Sequence, residues 1–363
     1  MATMSSSSGS SAEPVVARPT PLPPRVVEQL VSLWEGDRGS ARFLHEGTNS
    51  TFEFSAKGDA LILRVHHTGD RTQDAVIAEL DWVTFLHGHG VAVAQPIAAA
   101  SGAWVQTTEW EGKTLHAAVF RKAPGEHSEL GDRSGWNRRL IRRIGRTLGR
   151  MHALNRQYQP QAASRRFDWP SIDLPRYAEG ITPPEDAAYL TNLKVYWQWI
   201  QSLPRDDVGG FGLIHGDFQT ANLLVRRSRP TVIDFDGSCY NWYLYDIAQF
   251  LGMAVLNAGG QDEEQQRADA RGIFAELIRG YAKENPMSSA SFELFPGFLR
   301  GFSLLYYFNL LANFQSESEK RKQVPHYEVV RLCALDGRPF LDLDFTELHH
   351  AVTRGLYARL FRD

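Results

Sequence analysis

A hairpin-like segment between residues 211 and 236 constrains the fold of this chain more than any other feature. A short apolar run leads into His-Gly-Asp, ending at Asp217, and Asn222 follows before a second apolar run. After a turn at 226–230, a third apolar run leads into Asp234. Apolar runs that flank a short polar turn are typical of two paired strands. The sequence therefore predicts that Asn222 and Asp234 lie side by side, with Asp217 near them.

This spacing of residues suits phosphoryl transfer. That reaction requires a carboxylate near the attacking hydroxyl and a metal ion that neutralises the phosphate oxygens. We therefore predict that Asp217 is the catalytic base and that Asn222 and Asp234 are Mg²⁺ ligands, with Asp236 close enough to touch the cation or its water. His215 is expected to hydrogen-bond the backbone and fix the shape of the loop.

The motif also resembles a known family. His-Gly-Asp-x-x-x-x-Asn followed by Ile-Asp-Phe-Asp is similar to the aminoglycoside phosphotransferase and choline kinase family, which has a protein-kinase-like fold. The segment Tyr245–Ala248 resembles the family's Asp-Leu-Ala step, and we expect Asp246 to play a structural part as a helix cap. In motif style the chain resembles amicoumacin-kinase and homoserine-kinase-like members. The resemblance spans residues 40–320 and implies ATP and Mg²⁺ as cofactors.

The predicted fold is α+β, a protein-kinase-like arrangement of two lobes. Residues 1–24, rich in Ser, Ala and Pro, are expected to form a disordered tail. Residues 25–122 are expected to form a small nucleotide-binding N-lobe with an antiparallel sheet and one helix. Ala-Pro-Gly at 123–125 then breaks the pattern, and residues 123–363 are expected to form a larger, mostly helical C-lobe that carries catalysis and substrate binding.

Apolar periodicity gives the expected elements. A first helix is predicted at 26–34, three strands within 42–65, a helix at 72–89, and two strands at 103–108 and 115–121. Residues 155–185, which hold several prolines, are expected to be irregular. Helices of the C-lobe are predicted at 137–154, 187–203, 243–257, 264–284, 290–315 and 345–361.

The N-lobe must supply nucleotide contacts, beginning with a turn between the first two strands. The resemblance places Thr48, Asn49 and Ser50 where kinases carry a glycine-rich phosphate loop, but this turn has one glycine instead of three. An ordinary hairpin turn remains the alternative. Backbone amides here can still face phosphates.

The third strand and the predicted hinge supply the other nucleotide contacts. The resemblance expects a basic residue at Arg64, where protein kinases have Lys, and Arg can serve as a bidentate phosphate donor. Glu79 in the following helix is its expected partner, with a surface salt bridge as the alternative. Phe120 and Lys122 belong to the hinge segment, which would offer backbone groups to adenine.

Composition excludes several classes of function. The 39 basic and 42 acidic residues give a net charge of −3, so we expect no nucleic-acid partner. Two cysteines are too few for a disulfide scaffold. The longest apolar stretch is too short to span a bilayer, so we expect no membrane partner and a cytoplasmic location. The protein is expected to be a monomer or homodimer.

The acceptor is expected to be a small hydroxylated molecule, either an antibiotic or an amino-alcohol metabolite. Residues Tyr240, Asn241, Trp242 and Tyr243 follow the metal-binding Asp and are predicted to contact it, with core packing as the alternative for each. A Ser/Thr protein kinase is disfavoured because no Ala-Pro-Glu segment follows Asp234. A catalytically inactive nucleotide-binding regulator is the other alternative, although Asp217, Asn222 and Asp234 are all present.

Overall fold

The structure is a computed structural model of the 363-residue chain. It describes residues 22–47, 49–67, 71–127, 137–160, 165–205, 210–259, 262–314, 320, 324 and 326–354. The predicted tail at 1–24 lies almost wholly outside the described residues. Leu22 is nevertheless buried, and Pro24 begins the first helix, α1 (Pro24–Ser32). The described fold therefore starts slightly before the predicted boundary.

An antiparallel sheet forms the N-terminal part. Its strands are paired in the order β1-β2-β3-β6-β4, and β5 also pairs with β6. Alternating burial along β2 shows that one face of this strand packs into the core, as expected for a half-buried sheet. Among the six strands of this sheet, the two-residue β4 is the one that was not predicted from the sequence. The strands are β1 (Arg42–Glu46), β2 (Asn49–Ala56), β3 (Asp59–His67), β4 (Pro96–Ile97), β5 (Val105–Trp110) and β6 (Lys113–Arg121).

Helix α2 (Gln73–Gly88) follows β3 and packs beside the sheet. Thr72 caps its first turn by accepting a hydrogen bond from the backbone N–H of Ala75 at 3.2 Å. The helix ends at the Gly88–Gly90 region, as the sequence predicted. It buries Glu79 together with its apolar residues, so a carboxylate is carried into the interior.

The C-terminal part, as far as its residues are described, is mostly helical with five short strands. Strand β7 (Glu126–His127) pairs with β9 (Leu223–Arg226), β9 pairs with β10 (Arg229–Val232), and β8 (Phe211–Ile214) pairs with β11 (Cys239–Trp242). Short α4 and α9 were not predicted, and α10 is described only to Thr353, so the predicted end at 361 lies outside the described residues. The helices are α3 (Arg138–Leu154), α4 (Leu174–Glu179), α5 (Ala187–Ser202), α6 (Tyr243–Asn257), α7 (Glu263–Tyr281), α8 (Phe295–Asn313), α9 (Tyr327–Asp336) and α10 (Phe345–Thr353).

Two helices of this part pack with their backbones in direct contact. A Cβ atom added at Gly145 of α3 would lie 1.9 Å from the carbonyl oxygen of Leu277 in α7. One added at Gly280 of α7 would lie 1.9 Å from the carbonyl oxygen of Arg142. Both positions therefore require glycine, and α3 in turn packs against β8 and β10.

The two parts of the chain are joined by backbone hydrogen bonds as well as by side chains. The N–H of Ala94 donates to the carbonyl of Val232 at 3.1 Å, and the N–H of Val232 donates to Ala92 at 2.9 Å. These bonds attach the N-terminal part to β10, two residues before Asp234. The division at residues 122 and 123 stays a prediction. Within the described residues, none of the helices is both long and apolar enough to cross a membrane.

Candidate active site

The loop after β8 is held by one buried carboxylate. Asp246, in the first turn of α6, accepts the backbone N–H of His215 at 2.8 Å and that of Gly216 at 2.9 Å. His152 also lies 3.2 Å from the same side chain. Asp246 is therefore structural, as predicted, but it holds the catalytic loop instead of capping its own helix. The N-cap position of α6 is occupied by Trp242, four residues before Asp246.

His215 fixes the loop through its ring, which confirms the prediction made for it. Its Nδ1 accepts the N–H of Asp217 at 3.3 Å, so Nε2 carries the proton and donates to the carbonyl of Ile233 at 3.0 Å. Gly216 has a φ of +79°, and a Cβ there would meet the carbonyl oxygen of Gly237 at 2.1 Å. Glycine is thus required beside Asp217, which explains the His-Gly-Asp order.

The Asp217 carboxylate is oriented by three side-chain amides. Its Oδ2 accepts a hydrogen bond from Asn222 Nδ2 at 2.8 Å. Its Oδ1 accepts from Gln219 Nε2 at 2.8 Å and from Gln249 Nε2 at 3.3 Å. A carboxylate offers about four acceptor positions. Three are filled here, which leaves about one for the hydroxyl of a substrate.

The β9–β10 hairpin brings Asn222 and Asp234 together, as the sequence predicted. Val232 pairs with Leu223, and the N–H of Ile233 donates to the carbonyl of Asn222 at 3.0 Å. Asp234 follows in a left-handed conformation, with φ 61° and ψ 67°, and its side chain is 45% exposed. Residues other than glycine rarely adopt this conformation, so the turn is shaped to present this carboxylate.

Arg64 and Glu79 form the buried ion pair that the resemblance implied. Arg64 Nη2 lies 2.5 Å from Glu79 Oε1, and Arg64 Nη1 lies 3.2 Å from Asp234 Oδ1. The guanidinium also lies 4.8 Å from the centre of the Phe120 ring. Burial raises the pKa of Glu79, and the Arg64 charge opposes that rise. Both members of the pair are buried, so the alternative of a surface salt bridge is wrong.

Asp236 faces side chains of the N-terminal part. Its Oδ2 lies 3.0 Å from Arg71 Nη2 and 3.4 Å from Asn49 Nδ2. Burial opposes ionisation, but the guanidiniums of Arg64 and Arg71 outweigh it and lower the pKa of Asp236. Its charge is thus already compensated by cations, which does not favour the predicted contact with a metal ion.

One group of side chains offers three possible metal ligands. Atoms of His66, Glu79 and Asp236 lie within 4.8 Å of one another. The two carboxylates are paired with Arg64 and Arg71, and these guanidiniums already supply the positive charge that a cation would bring. Burial lowers the pKa of His66 well below its usual range, and the neighbouring Arg64 adds to this effect, so the ring is neutral and takes no part in the ion pairs. The two carboxylates of the group therefore serve as partners of Arg64 and Arg71.

The predicted nucleotide contacts have mixed outcomes. Thr48 lies outside the described residues. Asn49 is directed to Asp236, and Ser50 Oγ donates to Glu46 Oε1 at 2.6 Å, so neither side chain is aimed at a phosphate. The N–H of Lys122 is bound to the carbonyl of Ala60 at 3.0 Å, and its ammonium lies 2.8 Å from Glu53. Lys122 therefore does not offer its N–H to adenine, a correction to the prediction.

Three of the four predicted substrate residues lie in the core instead of the cleft. Trp242 is fully buried and donates its indole N–H to the carbonyl of Pro204 at 2.9 Å. Asn241 is fully buried, and buried Tyr243 stacks on His152 with ring centres 4.4 Å apart. The cause is that β11 enters the interior to pair with β8, so nearness to Asp234 along the chain does not place these side chains on the surface. Tyr240 alone keeps an exposed fraction.

Several residues of the site were missed from the sequence. Gln219 and Gln249 contact the predicted base, Arg71 contacts Asp236, and Arg166 contacts the turn after Asp234. Tyr306 of α8 lies close enough to Asp217 that, besides burial, the Asp217 charge raises the pKa of its phenol. Gln219 lies two residues after Asp217, and Gln249 directly follows the Tyr245–Ala248 motif, so these two had a signal in the sequence. The other three come from segments without a motif.

A family model decides the classification of the chain. The model of the phosphotransferase enzyme family matches residues 40–286, more than half of the chain. The chain belongs to the phosphotransferase enzyme family. The suspected resemblance and the protein-kinase-like α+β fold are thereby confirmed. As a member of this family the protein is an enzyme, and the catalytic residues can be discussed as those of a phosphotransferase.

The chain is also similar to individual kinases. It is 26% identical to the amicoumacin kinase of Bacillus subtilis (strain 168) over 332 residues, covering 89% of this chain and 95% of the relative. It is 27% identical to a homoserine kinase of Caulobacter sp. (strain K31), covering 74% and 79% of the two chains. The solved structure of the amicoumacin kinase hAmiN in complex with AMP-PNP, Ca²⁺ and Ami superposes with a TM-score of 0.80 at 25% identity, covering 89% and 96%.

Proposed function

We propose that this phosphotransferase moves the γ-phosphate of ATP to a hydroxyl group of a small molecule. The observation that carries the proposal is the convergence of Asp217, Asn222 and Asp234, which the loop after β8 and the β9–β10 hairpin bring together. The hAmiN complex, which contains AMP-PNP and Ca²⁺, supports a nucleotide and a divalent cation as ligands of this site. A cytoplasmic location, where ATP and Mg²⁺ are available, follows from the proposal.

Asn222 and Asp234 fit the requirements of Mg²⁺. Asn222 uses its Nδ2 in its two side-chain hydrogen bonds to Asp217, so Oδ1 faces away from Asp217. Asp234 exposes its carboxylate while one oxygen is held by Arg64. Mg²⁺ prefers one or two protein oxygens of this kind, with waters and phosphate oxygens completing the shell. When bound, the cation would neutralise charge on the phosphate oxygens. Asp236, already paired with Arg71, is left out of this proposed ligand set.

Asp217 would hold and accept the proton of the attacking hydroxyl. The substrate oxygen forms a bond to the γ-phosphorus, the bond between that phosphorus and the bridging oxygen of ADP breaks, and the hydroxyl proton passes to the Asp217 carboxylate. The amides of Asn222, Gln219 and Gln249 keep the carboxylate in one orientation throughout. The protein therefore contributes position more than covalent chemistry, as is usual in phosphoryl transfer.

Arg64 would hold the phosphates of the nucleotide. Its guanidinium lies on β3, contacts Asp234, and is kept in place by Glu79 and the Phe120 ring. Arg donors suit phosphate oxygens because the planar fork can make two hydrogen bonds at once. The ion pair with Glu79 would thus hold the Arg64 guanidinium where the resemblance expects the α- and β-phosphates.

The acceptor is proposed to be a small molecule that carries both a hydroxyl and an amine. The relatives named above include an amicoumacin kinase and a homoserine kinase, and homoserine is an amino acid that carries both a hydroxyl and an amine. Tyr240 and Tyr306 are the aromatic side chains that we place beside the acceptor. Tyr240 is half-buried under the Arg165 guanidinium, 4.6 Å from its ring centre, and Tyr306 lies near Asp217.

A protein substrate is less compatible with this site. Helix α6 begins at Tyr243, soon after Asp234, and the intervening residues form a tight turn and the buried strand β11. The chain therefore has no room here for the activation segment that protein kinases use. An inactive regulator would be expected to lose part of the Asp217, Asn222 and Asp234 set, which is complete.

A substrate panel tests the proposal. The purified enzyme is incubated with Mg²⁺ and γ-labelled ATP or GTP, without acceptor and then with amino alcohols, aminoglycosides, amicoumacin-type antibiotics and a generic protein substrate. We expect acceptor-dependent transfer of label to at least one hydroxyl compound, absent in Asp217→Asn. Label found only on the protein substrate would favour the protein-kinase alternative, and nucleotide binding without transfer would favour the inactive regulator.

A further inference from the structure

Arg166 is a buried cation whose hydrogen bonds to the described residues go to main-chain carbonyls. It is 4% exposed, and its guanidinium donates from Nε to the carbonyl of Ser238 at 2.6 Å and from Nη2 to the carbonyl of Asp236 at 2.5 Å. Its Nη1 donates to the carbonyl of Ala75 at 2.9 Å. Placing a charge in the interior is costly unless its donors are satisfied. The three hydrogen bonds offset this cost and attach the Arg166 guanidinium to the main chain at Ala75, Asp236 and Ser238.

Two of these bonds hold the turn that presents Asp234. Asp236 and Ser238 lie two and four residues after Asp234, and the N–H of Ser238 closes the turn by donating to the carbonyl of Phe235 at 2.9 Å. Asp234 itself has a φ of 61°, a conformation that is unfavourable for a residue with a side chain. A strained residue keeps such a conformation only when its surroundings fix it. The forked guanidinium supplies this restraint from outside the turn.

The third bond connects the same guanidinium to helix α2. Ala75 lies one helical turn before Glu79, and residues four apart occupy the same face of a helix. Glu79 is the partner of Arg64, which contacts Asp234. Arg166 thus joins the turn after Asp234 to the helix that carries Glu79. The turn and the Glu79–Arg64 pair, which both position the Asp234 carboxylate, are therefore connected through Arg166.

The segment that carries Arg166 is itself attached to the strand after the turn. The N–H of Tyr240 donates to the carbonyl of Phe167 at 2.9 Å, and Asp168 forms an isolated parallel bridge with Tyr240. The backbone around Arg166 is therefore held, and its side chain reaches the site from a fixed base. This segment belongs to the stretch 155–185, which the sequence presented as irregular.

We propose that Arg166 is a positioning residue that fixes the turn after Asp234 against helix α2 and so holds the Asp234 carboxylate in the orientation needed for the divalent cation. The inference deepens the proposed function and rests on Asp234 as a metal ligand. Arginine is required because three carbonyl oxygens in different directions need the planar fork, which the single ammonium of lysine cannot supply. Residues that orient metal ligands typically contribute about 10–100-fold to metal affinity or activity.

The test measures cation binding directly, so it does not depend on the acceptor. Mn²⁺ is titrated into the wild-type enzyme and Arg166→Lys in the presence of ADP, and free Mn²⁺ is followed by electron paramagnetic resonance. Binding of ADP without metal and the melting temperature are measured on the same samples. Arg331→Lys is the matched control, since Arg331 forms an ion pair with the buried Asp186 in a different region.

We expect Arg166→Lys to raise the Kd for Mn²⁺ by at least about tenfold while metal-free ADP binding changes little. Arg331→Lys is expected to lower the melting temperature and leave the Kd for Mn²⁺ unchanged. Guanidinium ion added to Arg166→Gly should restore part of the Mn²⁺ affinity. If Arg166→Gly does not fold, the comparison of Arg166→Lys with Arg331→Lys decides the matter alone.

A wild-type Kd for Mn²⁺ in folded Arg166→Lys, with only the melting temperature lowered, would overturn the inference and make Arg166 a residue of general stability. The failure of the proposed function has a different signature. In that case no acceptor receives phosphate from the wild-type enzyme, whereas the Mn²⁺ comparison still reports on Arg166. If wild-type enzyme with ADP binds no Mn²⁺, both the metal site and the role of Arg166 are wrong.

Discussion

Asn222 donates hydrogen bonds from its side-chain Nδ2 to both the main-chain carbonyl and the carboxylate of Asp217, at 2.9 and 2.8 Å. Because both acceptors are oxygens, the amide can take only one orientation, and its Oδ1 is turned away from Asp217. One residue therefore orients the proposed base and presents the proposed metal ligand. Base and cation are expected to be linked through this amide.

Asn222→Ala tests that link. We expect kcat to fall by at least about 10²-fold, because the base loses an orienting donor and the metal loses a ligand. The Mg²⁺ concentration needed for half-maximal rate should rise at the same time. Asn257→Ala is the control, since Asn257 donates to Thr220 Oγ1 in the same loop without touching Asp217. An Mg²⁺ dependence unchanged in Asn222→Ala would contradict the assignment.

Asp246→Ala is predicted to destabilise the enzyme as well as inactivate it. The change leaves the buried N–H groups of His215 and Gly216 without their acceptor, at a cost of about 1–3 kcal/mol for each group. Urea denaturation measures the loss. Asp262→Ala, which removes the exposed cap of α7, is the comparison and should cost about 1 kcal/mol. Equal losses in the two variants would argue against the loop-holding role.

The pH dependence of stability should contain a contribution from Asp236. Its pKa in the folded state lies below the ordinary value of 3.8, so it contributes stability above that pH that is lost as the pH falls through the folded-state pKa. We expect wild-type enzyme to lose more free energy of unfolding than Asp236→Asn between pH 5 and the acid end of the titration. Denaturant titrations at a series of pH values measure the difference. If the free energy of unfolding of the two proteins varied identically with pH, the predicted contribution of Asp236 would be refuted.

Trp242 and Tyr240 are predicted to respond differently to truncation. Trp242→Ala removes a fully buried ring and should cost about 3–5 kcal/mol of stability. Tyr240→Ala, at a partly exposed position, should raise the KM for the acceptor with little change in the KM for ATP. Melting temperatures and both KM values, corrected for folded enzyme, distinguish the two. A stable Trp242→Ala variant with a raised KM for the acceptor would contradict the core role of Trp242 and favour the substrate contact predicted from the sequence.

Much of the fold and the centre of the site could be predicted from the sequence. Periodic apolar residues gave α3 and α6 within a residue of their observed limits, and the turn at 226–230 gave the β9–β10 hairpin. Asp217, Asn222 and Asp234 were predictable because their spacing is local. Contacts within a hairpin or a short loop depend on few residues, all close in the chain.

The supporting residues could not be predicted, for physical reasons. Arg71 and Arg166 reach the site from segments far apart in sequence, and no period or motif marks them. Gln249 follows the Tyr245–Ala248 motif, but its contact with Asp217 depends on how α6 packs against the loop after β8. The substrate prediction failed at Trp242 for the related reason that distance along the chain is not distance in space. Strand β11 turns inward to pair with β8, which only tertiary packing decides.

The most direct measurement of the central claim is the rate of phosphate transfer by Asp217→Asn. Asparagine keeps the size and one acceptor oxygen of the carboxylate but cannot take the proton of the hydroxyl. With an acceptor from the panel, we predict that kcat falls by at least about 10²-fold while ATP affinity, measured by calorimetry, is retained. Turnover near the wild-type rate in folded Asp217→Asn would contradict the account.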